Sequence, residues 1–130
     1  MADTQMAGRL DTKCLDRHND RISVYLTGNG AGQPLFTDGG DAVQDLMCRV
    51  PGTTPPEGVL RLIGHVIGEL AKHGCRLTDH LHIVSDGKKL SFLDEINRGI
   101  DHIVQAYLAV DRIDVEEVLA KDGQARADHG

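Results

Sequence analysis

The sequence predicts an α+β fold, a two-layer sandwich in which two long helices pack on a small, mostly antiparallel sheet. Three observations carry this. Residues 21–26, RISVYL, alternate strictly between apolar and polar, the period of a half-buried strand. Residues 56–74 and 91–110 place apolar side chains at helical spacing, so each buries one face. Turn-forming stretches, TGNGAGQ, Asp38-Gly39-Gly40 and Asp86-Gly87, cut the rest into short elements. A mainly helical bundle carrying one β-hairpin is the alternative architecture for the same pattern.

With 130 residues there is room for one domain and one core. Two Tyr, two Phe and no Trp make that core aliphatic. Residues 1–20 carry only Met6, Leu10, Cys14 and Leu15 as scattered apolar points. They read as a poorly ordered N-terminal segment with at most a short helix around Leu10–Leu15. Residues 21–123 form the globular domain, and 124–130 a disordered tail.

Taken in order, Ile22, Val24 and Leu26 give the first strand its buried face. After the glycine-rich turn, Pro34–Thr37 returns as a short strand, with Pro34 at its start because proline cannot donate to a ladder. Asp41 caps a short helix over Ala42–Arg49 with Val43, Leu46 and Met47 inward. Pro56 suits the first turn of the next helix and Gly74 its left-handed terminus. On this helix Val59, Leu60, Leu62, Ile63, Val66, Ile67, Leu70 and Ala71 share one half of the wheel, and it is expected to be the element on which the others pack.

Arg76–Val84 reads as a further strand, although Asp79 falls on its apolar face. Asp86-Gly87 turns the chain toward a brief partner strand at Lys88–Leu90. Ser91 caps the second long helix, which buries Leu93, Ile96, Ile100, Ile103, Val104, Tyr107 and Leu108 and ends near Val110. Asp114 caps a last short helix that stops at Gly123.

Composition excludes some functions. A formal net charge of −6 argues against direct nucleic-acid binding, which needs a basic surface to displace counterions. No apolar run reaches the ~20 residues of a membrane span, and the first residues lack the apolar core of a signal peptide. The reading is therefore a soluble, cytoplasmic protein with no membrane partner. Cys14, Cys48 and Cys75 are odd in number and widely spaced, so they read as free thiols with at least two buried.

The chemistry-bearing residues form few patterns. Gly28-Asn29-Gly30-Ala31-Gly32 follows a strand but runs into Pro34 rather than a helix, so it lacks the N-terminal amides of a phosphate-cradling loop. His73, Cys75, His80 and His82 lie within ten residues. On a continuous strand His80 and His82 project from one face, where a zinc ion would meet both, with Cys75 or His73 adding a ligand. Cys75 with His80 also has the makings of a nucleophile and base. Asp101 and His102 point to different sides of their helix, so an acid–base pair would need a cleft that brings a histidine such as His65 or His102 next to Asp79 and Asp86. Gly64 and Gly68 lie one turn apart with Ala71 a turn farther on, a border where a second helix approaches closely. The helix carrying Gly99 is the expected partner within the chain, and a second copy is the expected partner of a homodimer.

No catalytic residues are assigned, and no cofactor is expected beyond that possible zinc. The leading expectation is a small, non-enzymatic interaction or regulatory protein that meets a protein partner through its polar, acidic surface. The alternative is a small metal-dependent enzyme or metal carrier using His80 and His82. A third expectation is an acidic mimic of nucleic acid, an inhibitor from a mobile element.

Overall fold

In the computed structural model, residues 6–28, 34–86 and 93–120 are described. Five strands form one antiparallel sheet in the order β1-β2-β3-β5-β4, with four helices, an α+β fold. The strands are β1 (Met6–Leu15), β2 (Arg21–Gly28), β3 (Pro34–Thr37), β4 (Arg76–Leu77) and β5 (Ile83–Asp86). The helices are α1 (Asp41–Cys48), α2 (Pro56–Ala71), α3 (Leu93–Asp111) and α4 (115–120). The expected brief strand at Lys88–Leu90, the Ser91 cap, the glycine-rich turn at 29–33 and the 124–130 tail lie outside the described residues.

The element that gathers the fold is α3, not α2. It lies against β2, β3, β5, α1 and α2, whereas α2 meets α3 and the edge strand β4. Ile103, Ala106 and Val110 of α3 are fully buried, and Val104 and Tyr107 nearly so. Close approach is made possible by Gly99, but its neighbour is the sheet and not α2. A Cβ at Gly99 would lie 2.4 Å from the ring of Phe36.

The helix α2 keeps only part of its expected buried face. Leu62, Val66 and Leu70 are fully buried, while Leu60 and Ile67 stand out into solvent. One partner helix covers an arc of one side of a helix, and three residues at i, i+4 and i+8 fill that arc. The α2 terminus forms as its glycine suggests. Gly74 has φ +69°, Cys75 N–H donates to Leu70 O at 3.0 Å, and Gly74 N–H donates to Ala71 O at 3.2 Å. These are the two bonds of a Schellman motif.

Residues 6–15, expected as coil or a short helix, form β1. What holds them is a tertiary partner rather than local propensity. Thr12 Oγ1 donates to Ile22 O at 2.8 Å, and the Arg9 guanidinium stacks 5.7 Å from the Tyr25 ring centroid. The turn to β2 is closed by Asp16, whose Oδ1 accepts from His18 N–H at 2.8 Å and Asp20 N–H at 3.0 Å. A side-chain acceptor for the turn's own amides is the ordinary use of aspartate in such loops.

The expected strand Arg76–Val84 is instead a hairpin of β4 and β5 around a turn at 78–82. Thr78 closes it: its N–H donates to His82 O at 2.9 Å, and its Oγ1 accepts from His82 N–H at 3.1 Å. Leu81 sits at φ +64°, a left-handed conformation that branched and bulky residues seldom take. The polar Thr78-Asp79-His80 run inside the apparent strand is the turn, which explains why Asp79 fell on the apolar side.

The cysteine expectation also changes. Cys14 and Cys48 are exposed and only Cys75 is buried. Cys14 lies on the edge strand and Cys48 ends α1, positions the core does not reach.

Candidate functional site

The outer face of α2 is the least explained surface of the molecule. Leu60 is 68% exposed and Ile67 50%, the largest values among the exposed large apolar side chains described. Ala71 is exposed too, and a Cβ added at Gly64 or Gly68 would meet nothing within 4 Å. The residues at 60, 64, 67, 68 and 71 fall at i, i+4, i+7, i+8 and i+11, one stripe along the helix. The sequence marked Gly64, Gly68 and Ala71 as an interface within the chain or between chains. Within the chain the two glycines have no close neighbour, so they do not serve the packing against α3.

Beside this stripe runs a charged flank. Glu69 accepts from Lys72 Nζ at 3.0 Å and lies 3.9 Å from His65 Nε2. The lysine hydrogen bond holds the Glu69 carboxyl below the ordinary carboxylate range. His65 therefore stands on the solvent side of its own helix, beside Glu69.

The four residues expected to share a metal are not assembled. His80 and His82 no longer ride one strand. They flank Leu81 in the 78–82 turn, with ring centroids 6.5 Å apart and planes tilted by 59°. His82 leans on the start of α1, where a Cβ on Gly40 would lie 2.7 Å from its Cδ2. Cys75 points elsewhere, its Sγ 3.6 Å from both His73 O and His102 O. Among the described residues, no group of three or more His, Cys, Asp or Glu is placed to hold a metal ion.

Cys75 is also poorly suited to the nucleophile's part. Burial, aided by the charge of Asp38, pushes its thiol up to about 11, and both sulfur contacts are to carbonyl oxygens, which accept from a thiol and repel a thiolate. With a disulfide-exchange reagent in the native protein, the exposed Cys14 and Cys48 are expected to react quickly and Cys75 only on unfolding. A third thiol reacting at the same rate would contradict this placement.

The residue that sequence reasoning missed is Asp38. It is fully buried between β3 and α1. Its Oδ1 accepts from Gly40 N–H at 2.8 Å and Ile83 N–H at 3.0 Å, and its Oδ2 from Ala42 N–H at 2.9 Å. Burial pushes its carboxyl above the ordinary carboxylate value, against the pull of the three amides. Asp41, expected as the α1 cap, is exposed and makes no capping bond; Asp38 satisfies the helix amide instead. The signal was present as an aspartate followed by two glycines and a helix. Gly39 and Gly40 take φ +73° and +92°, which folds the chain back over the carboxylate.

Among the described residues, two depressions stand out on the surface. A cleft of about 200 Å³, lined by Gly8, Leu10, Val24, Phe36, Ile96 and Ile100 among others, opens between β1 and α3. The other groove, of about 520 Å³, is walled by Arg17, Arg49 and Arg112 with Asp111, Asp114 and Glu116. Two of its charges are used within the fold: Arg49 Nη1 donates to Ile113 O at 3.1 Å, and Asp111 Oδ2 accepts from the Arg17 backbone N–H at 2.9 Å. Among the described residues no helix is long and apolar enough to cross a membrane.

Fold and surface together define a small α+β protein with an exposed apolar helix face. Compared with family models, curated proteins and solved structures, the chain matches none.

Proposed function

We propose that this protein is a non-enzymatic interaction or regulatory module that recognises another protein through the outer face of α2. The observation that supports this is the exposure of Leu60 and Ile67 on the same stripe as two glycines with open space above them. Leaving two large aliphatic side chains half or more in water forgoes roughly 1–2 kcal/mol each relative to full burial. A partner helix laid along the stripe recovers that, and the glycines let its backbone come close. The charged flank of His65, Glu69 and Lys72 forms the rim and sets orientation more than affinity.

The test is the double variant Leu60→Glu with Ile67→Glu, both changes confined to solvent-facing positions. Its thermal midpoint is expected to stay at the wild-type value, while a partner recovered stoichiometrically by the wild-type protein from its host extract is lost. Recovery of the same partner by both proteins, or of none by the wild type, would count against the reading.

The two glycines supply a separate expectation. Gly64→Ala and Gly68→Ala each place a methyl group in open space, so each should stabilise the isolated protein by about 0.5–1 kcal/mol through helix propensity. Denaturant titration reads this directly. A loss of stability at either site would mean that a neighbour already occupies that space.

A further inference from the structure

We infer that the free edge of β1 pairs antiparallel with the β1 edge of a second copy, about a two-fold axis at Leu10, to give one continuous ten-stranded sheet. This goes beyond the recognition surface on α2 and uses the opposite flank of the sheet order. The argument begins with the edge itself. Among the described residues, β1 stands at the end of the sheet with β2 as its one neighbour, and its 10 residues make it the longest strand. A strand so placed presents a row of backbone donors and acceptors that an extended chain satisfies.

The side chains say which extended chain fits. Gly8 to Asp11 keep a regular register with Leu26 to Ser23, so this part of β1 is an unbroken ribbon. Set against itself about Leu10, residue Arg9 faces the second copy's Asp11, and Asp11 faces the second copy's Arg9. Opposite charges directly across an antiparallel pair are favourable, and the symmetry makes each contact twice. Arg9 already reaches its own Asp11 at 3.0 Å, so the pairing extends this into an alternating four-charge row. On the other face Leu10 meets the second copy's Leu10.

That other face is where the apolar cleft lies. Leu10 is 47% exposed and shares the cleft with Val24, Phe36, Ile96 and Ile100. Because the two leucines face each other across the axis, both helix layers fall on one side of the joined sheet. The second copy's Leu10 then enters the cleft that α3 leaves uncovered. A foreign peptide would need the same charge order reversed end to end, whereas this strand carries it already.

The experiment is sedimentation equilibrium of the full chain from micromolar to millimolar concentration, on the wild type and three variants. The wild type is expected to dimerise. Asp11→Arg places like charges across the axis twice and should raise the dissociation constant by roughly tenfold or more. The swap Arg9→Asp with Asp11→Arg restores opposite charges across the axis and should return the dimer. Leu10→Lys should abolish it, with far-UV circular dichroism unchanged. A wild type monomeric at millimolar concentration would overturn the inference. So would a dimer indifferent to the β1 variants and dissolved by Leu60→Glu with Ile67→Glu, which would place the contact on α2, or a monomer that takes up an unrelated extended peptide at this edge.

Discussion

Asp38→Ala is expected to destabilise the fold by about 3 kcal/mol or more, the largest effect of any single change considered for this chain. The substitution removes one acceptor group and leaves three buried amides, those of Gly40, Ala42 and Ile83, without partners. Each unsatisfied buried donor costs about 1–3 kcal/mol. Set against a total stability of 5–15 kcal/mol for a typical domain, roughly, the loss is large. Asp38→Asn should fall between, because its carbonyl still accepts while its amide group confronts at least one N–H. Urea denaturation measures both, and an alanine variant within ~1 kcal/mol of wild type would refute this account of the β3–α1 junction.

The same residue carries a pH signature. Its folded-state value is raised, so the folded chain holds the proton to higher pH than the unfolded chain does. The contribution of this group to stability is thus fully present below the unfolded carboxylate value. It is lost as the pH rises through the folded value. The stability advantage of wild type over Asp38→Asn should therefore shrink across that window, and an advantage that grows with pH would reverse the sign assigned to burial.

The second large effect is expected at Gly99. A methyl group there would lie 2.4 Å from Cε2 and 2.5 Å from Cδ2 of Phe36, inside any real carbon contact. Phe36 is itself buried in the middle strand of the sheet, so its ring can retreat only toward the cleft it helps to line. Gly99→Ala should cost about 1–3 kcal/mol by overpacking, although alanine is the better helix former by about 1 kcal/mol. The paired variant Gly99→Ala with Phe36→Leu should recover part of the loss. If the single variant were instead more stable, the α3–sheet spacing described above would be wrong. The contrast with Gly64 and Gly68 is instructive: three helical glycines, opposite expected signs, decided by what stands over each.

Much of the architecture was readable from local pattern. The α+β class, β2, β3, α1, the start of α2, its glycine terminus and the buried face of α3 all follow from periodicity and turn chemistry. Asp114 caps the last helix as its position suggested, its Oδ1 accepting from Glu117 N–H at 3.1 Å. What was not readable depends on contacts distant in sequence. The strand β1 has few apolar residues and gains its order from β2. The wide apolar arc of α2 gives no hint that α3 and β4 cover only part of it, so periodicity alone places Leu60 and Ile67 with the buried residues. The candidate site followed the same rule. Gly64, Gly68 and Ala71 were legible as a small-residue border, but the exposure that makes them a surface was not. His80 and His82 looked like one strand face because a left-handed Leu81 is invisible in a hydrophobic pattern.

The neighbours β3 and β5 are separated by two helices and β4, and the backbone returns to close that excursion where Ile83 meets Asp38, 45 positions apart. The β1–β2 hairpin closes across the short turn at residues 16–20. Chain entropy ranks these two events, since closure becomes less favourable with the logarithm of the span and non-local pairing governs folding speed. The hairpin can form and dissolve many times before the centre of the sheet exists. On this ordering the excursion's neck is expected to close after the hairpin, and residues 38 and 83 mark the point at which the two ends of that excursion become one sheet.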